Sequence, residues 1–196
     1  MIDYIKGTLV ELSPTEAVIE QGGIGYSVNI TLQTYSALSG VKETKLYIYE
    51  AIREDAHLLY GFENKTDRKL FLLLLSVSGV GANTARIIMS SMTSPEVKSV
   101  ILAGDVKALK SVKGIGAKTA ERIIVDIKDK LDKLEIADIQ AVGSIGKSSE
   151  EMEEAVQALV MLGFGAQQAK KAVEKASEQS PDVPVGQLVK LALKMI

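Results

Sequence analysis

The sequence contains no cysteine, no tryptophan and a single histidine among its 196 residues. Without cysteine, the chain cannot form disulfide bonds, thiolate zinc sites or a cysteine nucleophile. The one histidine, His57, has no second histidine or cysteine with which to share a metal ion. We therefore expect the protein to hold neither a metal nor a cofactor.

Long hydrophobic runs are missing as well. The longest continuous apolar stretch, Leu70–Leu75, is six residues long, whereas a membrane helix needs about 18. The first residues, MIDYIKGTLVEL, lack the basic region and following apolar run that are typical of a signal peptide. We therefore expect a cytoplasmic protein with no membrane partner. The apolar fraction of 46% is nevertheless high enough to exclude general disorder.

The net charge is small, at −2, and taken as a whole it argues against a nucleic-acid-binding protein. The charge is distributed unevenly, however. Residues 1–63 contain 4 basic and 9 acidic side chains, residues 64–134 contain 13 and 7, and residues 135–196 contain 6 and 9. A basic segment of net charge +6 therefore lies between two acidic ones, and it is a candidate for binding a polyanion.

Residues 1–63 are typical of β structure. Short apolar, β-branched runs alternate with turn signals such as Ser13-Pro14 and Gln21-Gly22-Gly23. Five short strands in about sixty residues suit a small closed or partly open barrel. The predicted strands are Ile5–Leu12, Ala17–Ile19, Tyr26–Ile30, Lys45–Ile52 and Leu58–Phe62.

The rest of the chain has helical periodicity, with one interruption. Apolar residues recur at spacings of three and four through residues 64–134, which predicts a helical domain. Residues 135–149 are rich in small residues and glycine, and we expect a flexible linker there. Residues 150–196 predict a compact bundle of three helices: Glu150–Leu162, Ala166 to about Ala176, and about Val185 to Lys194.

The basic segment contains an internal repeat with an offset of 35 residues. The stretch VSGVGANTARII from Val77 matches VKGIGAKTAERI from Val112. Each copy consists of a helix, a turn of the form apolar-x-Gly-apolar-Gly, and a second helix. The pattern is that of the helix-hairpin-helix motif, which is associated with sequence-independent DNA binding.

The two glycines of each turn allow positive φ angles and let another backbone come close. The following helix begins at once, so its unpaired N–H groups and the positive end of its dipole point outward, where a phosphate fits. The apolar residue between the glycines, Val80 or Ile115, is expected to pack inward. The alternative is a tight interhelical turn without a ligand, which two matched copies in the basic segment make less attractive. The candidate DNA-binding residues are Gly79, Gly81, Gly114, Gly116, Lys118, Thr119 and Arg122.

Almost the whole chain resembles the RuvA family, the Holliday-junction-binding subunits of bacterial branch-migration complexes. Besides the two hairpins, the resemblance rests on the opening MI-x-x-I-x-G and on the following stretches: GGIGYSVNI (Gly22–Ile30), REDAHLLYGF (Arg53–Phe62), KGIGAKTAERIIVDIKDKL (Lys113–Leu131) and ALVMLGF (Ala158–Phe164). It implies an OB-fold-like barrel over 1–63, a tandem helix-hairpin-helix domain over 64–134, and a UBA-like three-helix domain over 150–196 tethered by 135–149.

The resemblance also implies a function and partners. Members of this family are non-catalytic proteins that hold four-way junctions open during branch migration, in recombination, DNA repair and the SOS response. It implies a homotetramer, with an octamer as the alternative, and a third domain that binds a hexameric ring ATPase. A junction-resolving nuclease is a further possible partner.

Glu54 and Asp55 match the family's acidic pin at the centre of the tetramer, whereas without the resemblance this pair would be taken as solvated surface. The chain departs from the family at Asn83 and Ala117, where family members often carry lysine. Arg86 is then the only cation in the first half of the helix after the first hairpin. Compensating charge is expected from one or more of Lys65, Lys69, Lys107 and Lys110.

Three alternatives were weighed against this interpretation. Residues 141–148, AVGSIGKS, resemble a phosphate-binding loop, but four glutamates follow within six residues and would repel a nucleotide. A DNA glycosylase with lyase activity would use Lys118 as a Schiff base and Asp138 nearby, but no further domain is present to form a base pocket. A structural DNA-binding protein without an ATPase partner is the remaining alternative.

Overall fold

The computed structural model describes residues 1–142, 147–180 and 183–196, and the side chains of residues 132–150 lie outside this description. Within residues 1–63, five described strands form a closed barrel in the order β1-β2-β3-β5-β4, and β1 pairs with β4 to close it. The β3–β5 pairing is parallel and the others are antiparallel. The strands are β1 (Tyr4–Ser13), β2 (Glu16–Gln21), β3 (Ile24–Ile30), β4 (Glu43–Ile52) and β5 (His57–Phe62). The predicted barrel is thus confirmed.

The alternation of side chains along the strands accounts for the barrel interior. Ile19, Val28 and Leu46 point inward and are fully buried, whereas their neighbours in sequence lie on the outer surface. This separation is what a strand with one buried face requires, since a shift of one residue would exchange the two faces.

One helix in this part of the chain was not predicted. Helix α1 (Leu32–Leu38) lies between β3 and β4, and the Thr34 N–H donates to Thr31 Oγ1 at 3.2 Å to cap its first turn. A helix of two turns is too short to produce a clear 3.6-residue period in the sequence.

Helices of the basic segment pack directly on the barrel. The segment contains α2 (Lys65–Leu75), α3 (Ala82–Ser91), α4 (Ser94–Ala103), α5 (Val106–Lys110) and α6 (Ala117–Val142). Phe71 of α2 lies against Tyr49, Tyr60 and Phe62 of the barrel, with ring centroids 4.8–5.5 Å apart. Because they share this aromatic core, barrel and helices form one compact unit, residues 1–134.

The predicted ends of two helices were wrong. Helix α6 continues to Val142, well past residue 134, and the next helix, α7 (Lys147–Met161), begins before Glu150. The sequence EIADIQAV contains no proline or glycine, so nothing stops α6 until Gly143. Residues 143–146, which carry part of the AVGSIGKS pattern, lie outside the described residues. Within the segment predicted as a linker, residues 135–142 and 147–149 are thus helical. That this segment acts as a flexible tether stays a prediction.

The second compact unit covers residues 135–196 and contains α7, α8 (Ala166–Gln179) and α9 (Val185–Leu193). Each of these helices packs against the other two, and Leu159, Val173 and Leu188 form the centre of their core. The predicted helical bundle is confirmed. Along the described part of the chain, we find no helix that is both long and apolar enough to cross a membrane.

Candidate nucleic-acid interface

The first hairpin connects α2 to α3 through a short turn. Helix α2 ends at Leu75 and is capped by Ser76, whose hydroxyl donates to the Leu73 carbonyl at 2.7 Å. The chain then reverses at Gly79, which has a φ of 91°, and the Val80 N–H donates to the Val77 carbonyl at 3.0 Å. A side chain at Gly79 would be strained, because this φ belongs to the left-handed region.

The second hairpin repeats the first at the predicted offset of 35 residues. The Ser111 hydroxyl donates to the Ala108 carbonyl at 2.7 Å, and the Ile115 N–H donates to the Val112 carbonyl at 3.1 Å. Gly114 has the same φ, 91°. The repeat in sequence is therefore also a repeat in backbone conformation and hydrogen bonding.

The apolar residue between the glycines points inward in both copies. Val80 and Ile115 are each only 6% exposed and belong to the same hydrophobic core. Their burial leaves the flanking glycines on the surface of the turn, as the sequence predicts.

The second glycine of each turn does not have the positive φ angle that the sequence led us to expect. Gly81 has a φ of −91° and Gly116 also lies outside the left-handed region, so a positive φ is not the reason for glycine there. A Cβ atom at either position would meet no other atom of the protein within 4 Å. The fold therefore accepts a side chain at Gly81 and Gly116, and any requirement for glycine must come from a molecule outside the chain.

The helix that follows the first hairpin has an open N-terminus. No side chain caps α3 at Gly81, whereas Asn64, Thr93 and Asp105 accept hydrogen bonds from the first turns of α2, α4 and α5. The first N–H groups of α3 thus remain available, together with the positive end of the helix dipole. Such a terminus is suited to binding a phosphate.

Side chains of the second hairpin lie close to the first. Lys118, Thr119 and Arg122 of α6 line a groove of about 430 Å³ together with Ser78 and Gly79. Lys118 and Arg122 are exposed, and within the described residues neither has a carboxylate within 4.0 Å. The groove also contains Glu121, Val125 and Asp126, so it is not uniformly basic. The tertiary structure thus brings the candidate Gly79 of the first copy next to three candidate side chains of the second copy, those of Lys118, Thr119 and Arg122. The candidates Gly114 and Gly116 are exposed but do not line this groove.

The acidic pair lies at an exposed turn between β4 and β5. Glu54 and Asp55 form its tip, and the Arg53 N–H donates to the Ala56 carbonyl at 2.8 Å to close it. Arg53 lines a second depression that also contains Gly81. The acidic turn therefore lies beside the end of the first hairpin.

Arg86 has a different role from the one that its position in the sequence suggested. Its guanidinium donates to the Thr15 carbonyl at 3.2 Å, to Asn29 Oδ1 at 2.9 Å and to Asn83 Oδ1 at 3.1 Å. It is therefore committed to joining α3 to the barrel. The sequence pattern did not indicate the contacts with Thr15 and Asn29, because both residues are distant from Arg86 along the chain.

Ser78 and Arg53 were not singled out by sequence reasoning, although each lines a depression beside a hairpin glycine. The only signal in the sequence was their position, since Ser78 directly precedes the candidate Gly79 and Arg53 directly precedes the candidate Glu54. Lys130 of α6 is a further unpredicted contact: its ammonium group donates to the Ser76 hydroxyl at 3.0 Å, which ties the second hairpin's helix to the first hairpin.

Comparison with known proteins gives matches along the whole chain. A protein from Bacteroides fragilis called "Holliday junction branch migration complex subunit RuvA" is 52% identical over 201 residues that cover both chains completely. Proteins of the same name from Parabacteroides distasonis and Porphyromonas gingivalis are 52% and 46% identical, again over the full length of both chains. The chain belongs to the RuvA family.

Family models match three successive parts of the chain. The model of the RuvA N-terminal domain matches residues 1–61, which include the barrel and the acidic turn. A SAM-like helix-hairpin-helix tandem matches residues 71–129, which include both hairpins. The model of the RuvA C-terminal domain matches residues 150–196. The RuvA resemblance is thus confirmed, as is the order of barrel, tandem helix-hairpin-helix domain and C-terminal helices.

Proposed function

We propose that this protein binds four-way DNA junctions by their shape, without reading base sequence, and takes part in branch migration during recombination and repair. The relatives named above are called subunits of a Holliday junction branch migration complex. The observation that carries the proposal is the pair of equivalent hairpins, each with a bare glycine at the start of the next helix.

The chemistry of binding follows from these hairpins. N–H groups at the start of each following helix would donate to a phosphate, and the missing Cβ atoms at Gly81 and Gly116 would let the DNA backbone approach. Lys118 and Arg122 would add charge, and Thr119 a hydroxyl donor. Two hairpins of similar geometry would contact both strands across a minor groove. Because phosphates carry no base information, such binding is independent of sequence.

Glu54 and Asp55 would supply selectivity. Carboxylates repel phosphates, so an exposed acidic turn beside the first hairpin would disfavour a continuous duplex. In a homotetramer, four copies of this pair would surround the crossover and help to separate the strands there. Tetramer and octamer both remain compatible with this role.

The chain itself would catalyse no reaction, and ATP hydrolysis would belong to a hexameric ring ATPase. The bundle of residues 150–196 would bind that motor; Met161 and Leu162, at the end of its first helix, are 88% and 62% exposed and offer an apolar contact. A junction-resolving nuclease is a further candidate partner. A cytoplasmic location, where chromosomal DNA lies, also stays a prediction.

The decisive experiment compares a four-way junction with a linear duplex of the same sequence in a gel-shift titration at stated salt. We expect the junction to bind much more tightly, because only its open centre accommodates the acidic turns. Equal affinity for the two DNAs would contradict the proposal.

A further inference from the structure

The outer surface of the barrel carries a group of cations and tyrosines that the hairpins do not explain. Tyr4 of β1 lies opposite Tyr47 of β4, and Lys6 lies opposite Lys45 in the same pairing. All four side chains point to the outer face, because the intervening Ile5 and Leu46 are buried in the barrel. Lys65, at the start of α2, adjoins this group. We name these five residues, Tyr4, Lys6, Lys45, Tyr47 and Lys65, the barrel basic patch.

The arrangement of Lys6 and Lys45 is unfavourable for the isolated protein. Like charges that face each other directly across an antiparallel pair repel and destabilise the sheet. Among the described residues, no carboxylate lies within 4.0 Å of either ammonium group. Residues 1–63 contain nine acidic side chains, yet none of them forms an ion pair with Lys6 or Lys45. A local conflict that the fold does not relieve is typical of a functional surface.

The tyrosine rings hold the cations in place. The Lys45 ammonium lies 4.0 Å from the centroid of the Tyr4 ring and 4.8 Å from that of Tyr47. The Lys65 ammonium lies 5.7 Å from the Tyr47 centroid. Cation–π contacts of this kind orient an ammonium group without neutralising its charge. The patch is therefore an ordered positive surface.

Nearby acidic groups do not cancel this charge. Asp3 is paired with Arg68 at 2.6 Å, and this hydrogen bond lowers the pKa of Asp3, with Lys65 and Lys45 contributing through their charge. Glu43 lies opposite Thr8, one step further along the same outer face, beyond 4.0 Å from the patch ammonium groups. Three lysines thus remain in excess.

We propose that the barrel basic patch binds the sugar–phosphate backbone of a DNA duplex, as a contact separate from the hairpins. A polyanion relieves the repulsion between Lys6 and Lys45, and it does so along a row of charges rather than at one point. Helix α2 has eleven residues, or about 16 Å of rise, between Lys65 and the first hairpin. The patch and the hairpin therefore contact different phosphates. The proposal rests on the proposed function, since it assumes that DNA is the ligand.

The patch also differs from the usual binding face of an OB-fold. That face is built on the second and third strands and the adjoining loops, whereas the patch lies on β1, β4 and the start of α2. The charge of the barrel basic patch, and not the OB-fold-like architecture, therefore identifies it as a DNA-binding surface.

The test uses the full-length chain with Lys6→Ala and Lys45→Ala combined. Affinities for a four-way junction and for a linear duplex are measured over a range of NaCl concentrations. Loss of two phosphate contacts is expected to flatten the log–log salt dependence by about 1.8, since each contributes about 0.9. Lys42→Ala, which removes an exposed barrel lysine outside the patch, is the matched control and is expected to leave the slope unchanged.

Two further measurements separate binding from structure. The thermal midpoint of the double variant is expected to stay the same or rise, because a repulsive pair has been removed. Tyr4→Phe is expected to keep the wild-type slope, whereas Tyr4→Ala is expected to weaken binding, since only the ring is needed to hold Lys45.

A wild-type slope in the double variant, on both DNAs, would overturn the proposal. The same slope together with a changed sedimentation coefficient would overturn it in favour of a contact between copies of the chain. If the wild-type protein showed no preference for the junction but the double variant still had a flatter slope on both DNAs, the function proposed above would fail and the patch would stand.

Discussion

At the scale of single residues, the glycines of each hairpin are present for two different reasons. Gly79 and Gly114 have φ angles of 91°, which the turn itself requires. Gly81 and Gly116 have neither that conformation nor a close neighbour, so the fold alone does not require glycine there. Stability and binding should therefore respond differently to the same substitution at the two positions.

Gly81→Ala is expected to weaken junction binding while changing the free energy of unfolding by less than about 1 kcal/mol, since alanine only replaces glycine at a helix N-cap. Gly79→Ala is expected to cost about 1–2 kcal/mol, because alanine is strained at that φ. Urea unfolding and gel-shift titration measure the two effects. Wild-type affinity in Gly81→Ala would show that no DNA backbone approaches this glycine.

Lys118→Ala is expected to flatten the log–log salt dependence of junction binding by about 0.9, the effect of losing one phosphate contact. Lys98→Ala, on α4 and outside both hairpins, is the control. An unchanged slope and affinity in Lys118→Ala would remove Lys118 from the site.

Borohydride treatment with damaged duplex is expected to trap no adduct at Lys118; an adduct would instead support the lyase alternative.

At the scale of elements, the acidic turn is tied to the start of the chain through Glu50. This carboxylate accepts the Ile2 N–H at 2.7 Å, and the His57 ring nitrogen lies 3.2 Å from its other oxygen. The Met1 ammonium is 3.8 Å away. Glu50 is near the end of β4 and His57 begins β5, so the contacts hold together the base of the hairpin that carries Glu54 and Asp55.

The hydrogen bond from Ile2 and the contacts with His57 and the chain terminus lower the pKa of Glu50 below its ordinary value of 4.5. A lowered pKa stabilises the folded state above the ordinary value, and this contribution is lost as the pH falls through the lowered one. Glu50→Gln is therefore expected to be less stable than wild type at neutral pH, with the difference shrinking in acid. Urea unfolding at several pH values tests this, with exposed Glu11→Gln as control; a difference independent of pH would contradict it.

Most elements could be predicted from the sequence, because their signals are local. Short apolar, β-branched runs between turn signals located the barrel strands, and the repeated glycine pattern located both hairpins. Helix α1 is not evident in the sequence because two turns give no clear period. The part of α6 beyond residue 134 is not evident either, because residues 135–149 are rich in small residues and glycine. The Thr31 cap of α1 and the absence of proline or glycine from the last part of α6 are the local features that allow these helices. Both are weaker signals in a sequence than the regular spacing of apolar residues.

At the scale of the whole molecule, barrel and hairpins share a core, whereas residues 135–196 form a unit of their own. This division indicates that DNA binding can be separated from the proposed binding of a ring ATPase. The sequence predicts the same separation through its charge, since only the segment of residues 64–134 is basic.

Removing residues 135–196 is expected to leave junction affinity within about threefold of wild type, because the barrel, both hairpin turns and residues 117–134 of α6 remain. The same truncation is expected to abolish association with the ring ATPase, measured by co-sedimentation on junction DNA. The full-length chain is the control for both measurements. Retained association with the ATPase would locate its contact within residues 1–134 instead.

The order of the modules, the duplicated turn with its four glycines and the inward position of Val80 and Ile115 can all be predicted from sequence. These features depend on neighbours a few residues away, so a local pattern encodes them. The folded structure is needed to show that Arg86 binds the barrel, that Lys118 and Arg122 lie beside Gly79, and that Lys6 faces Lys45. These juxtapositions depend on strand register and helix packing between distant residues, which no local pattern specifies.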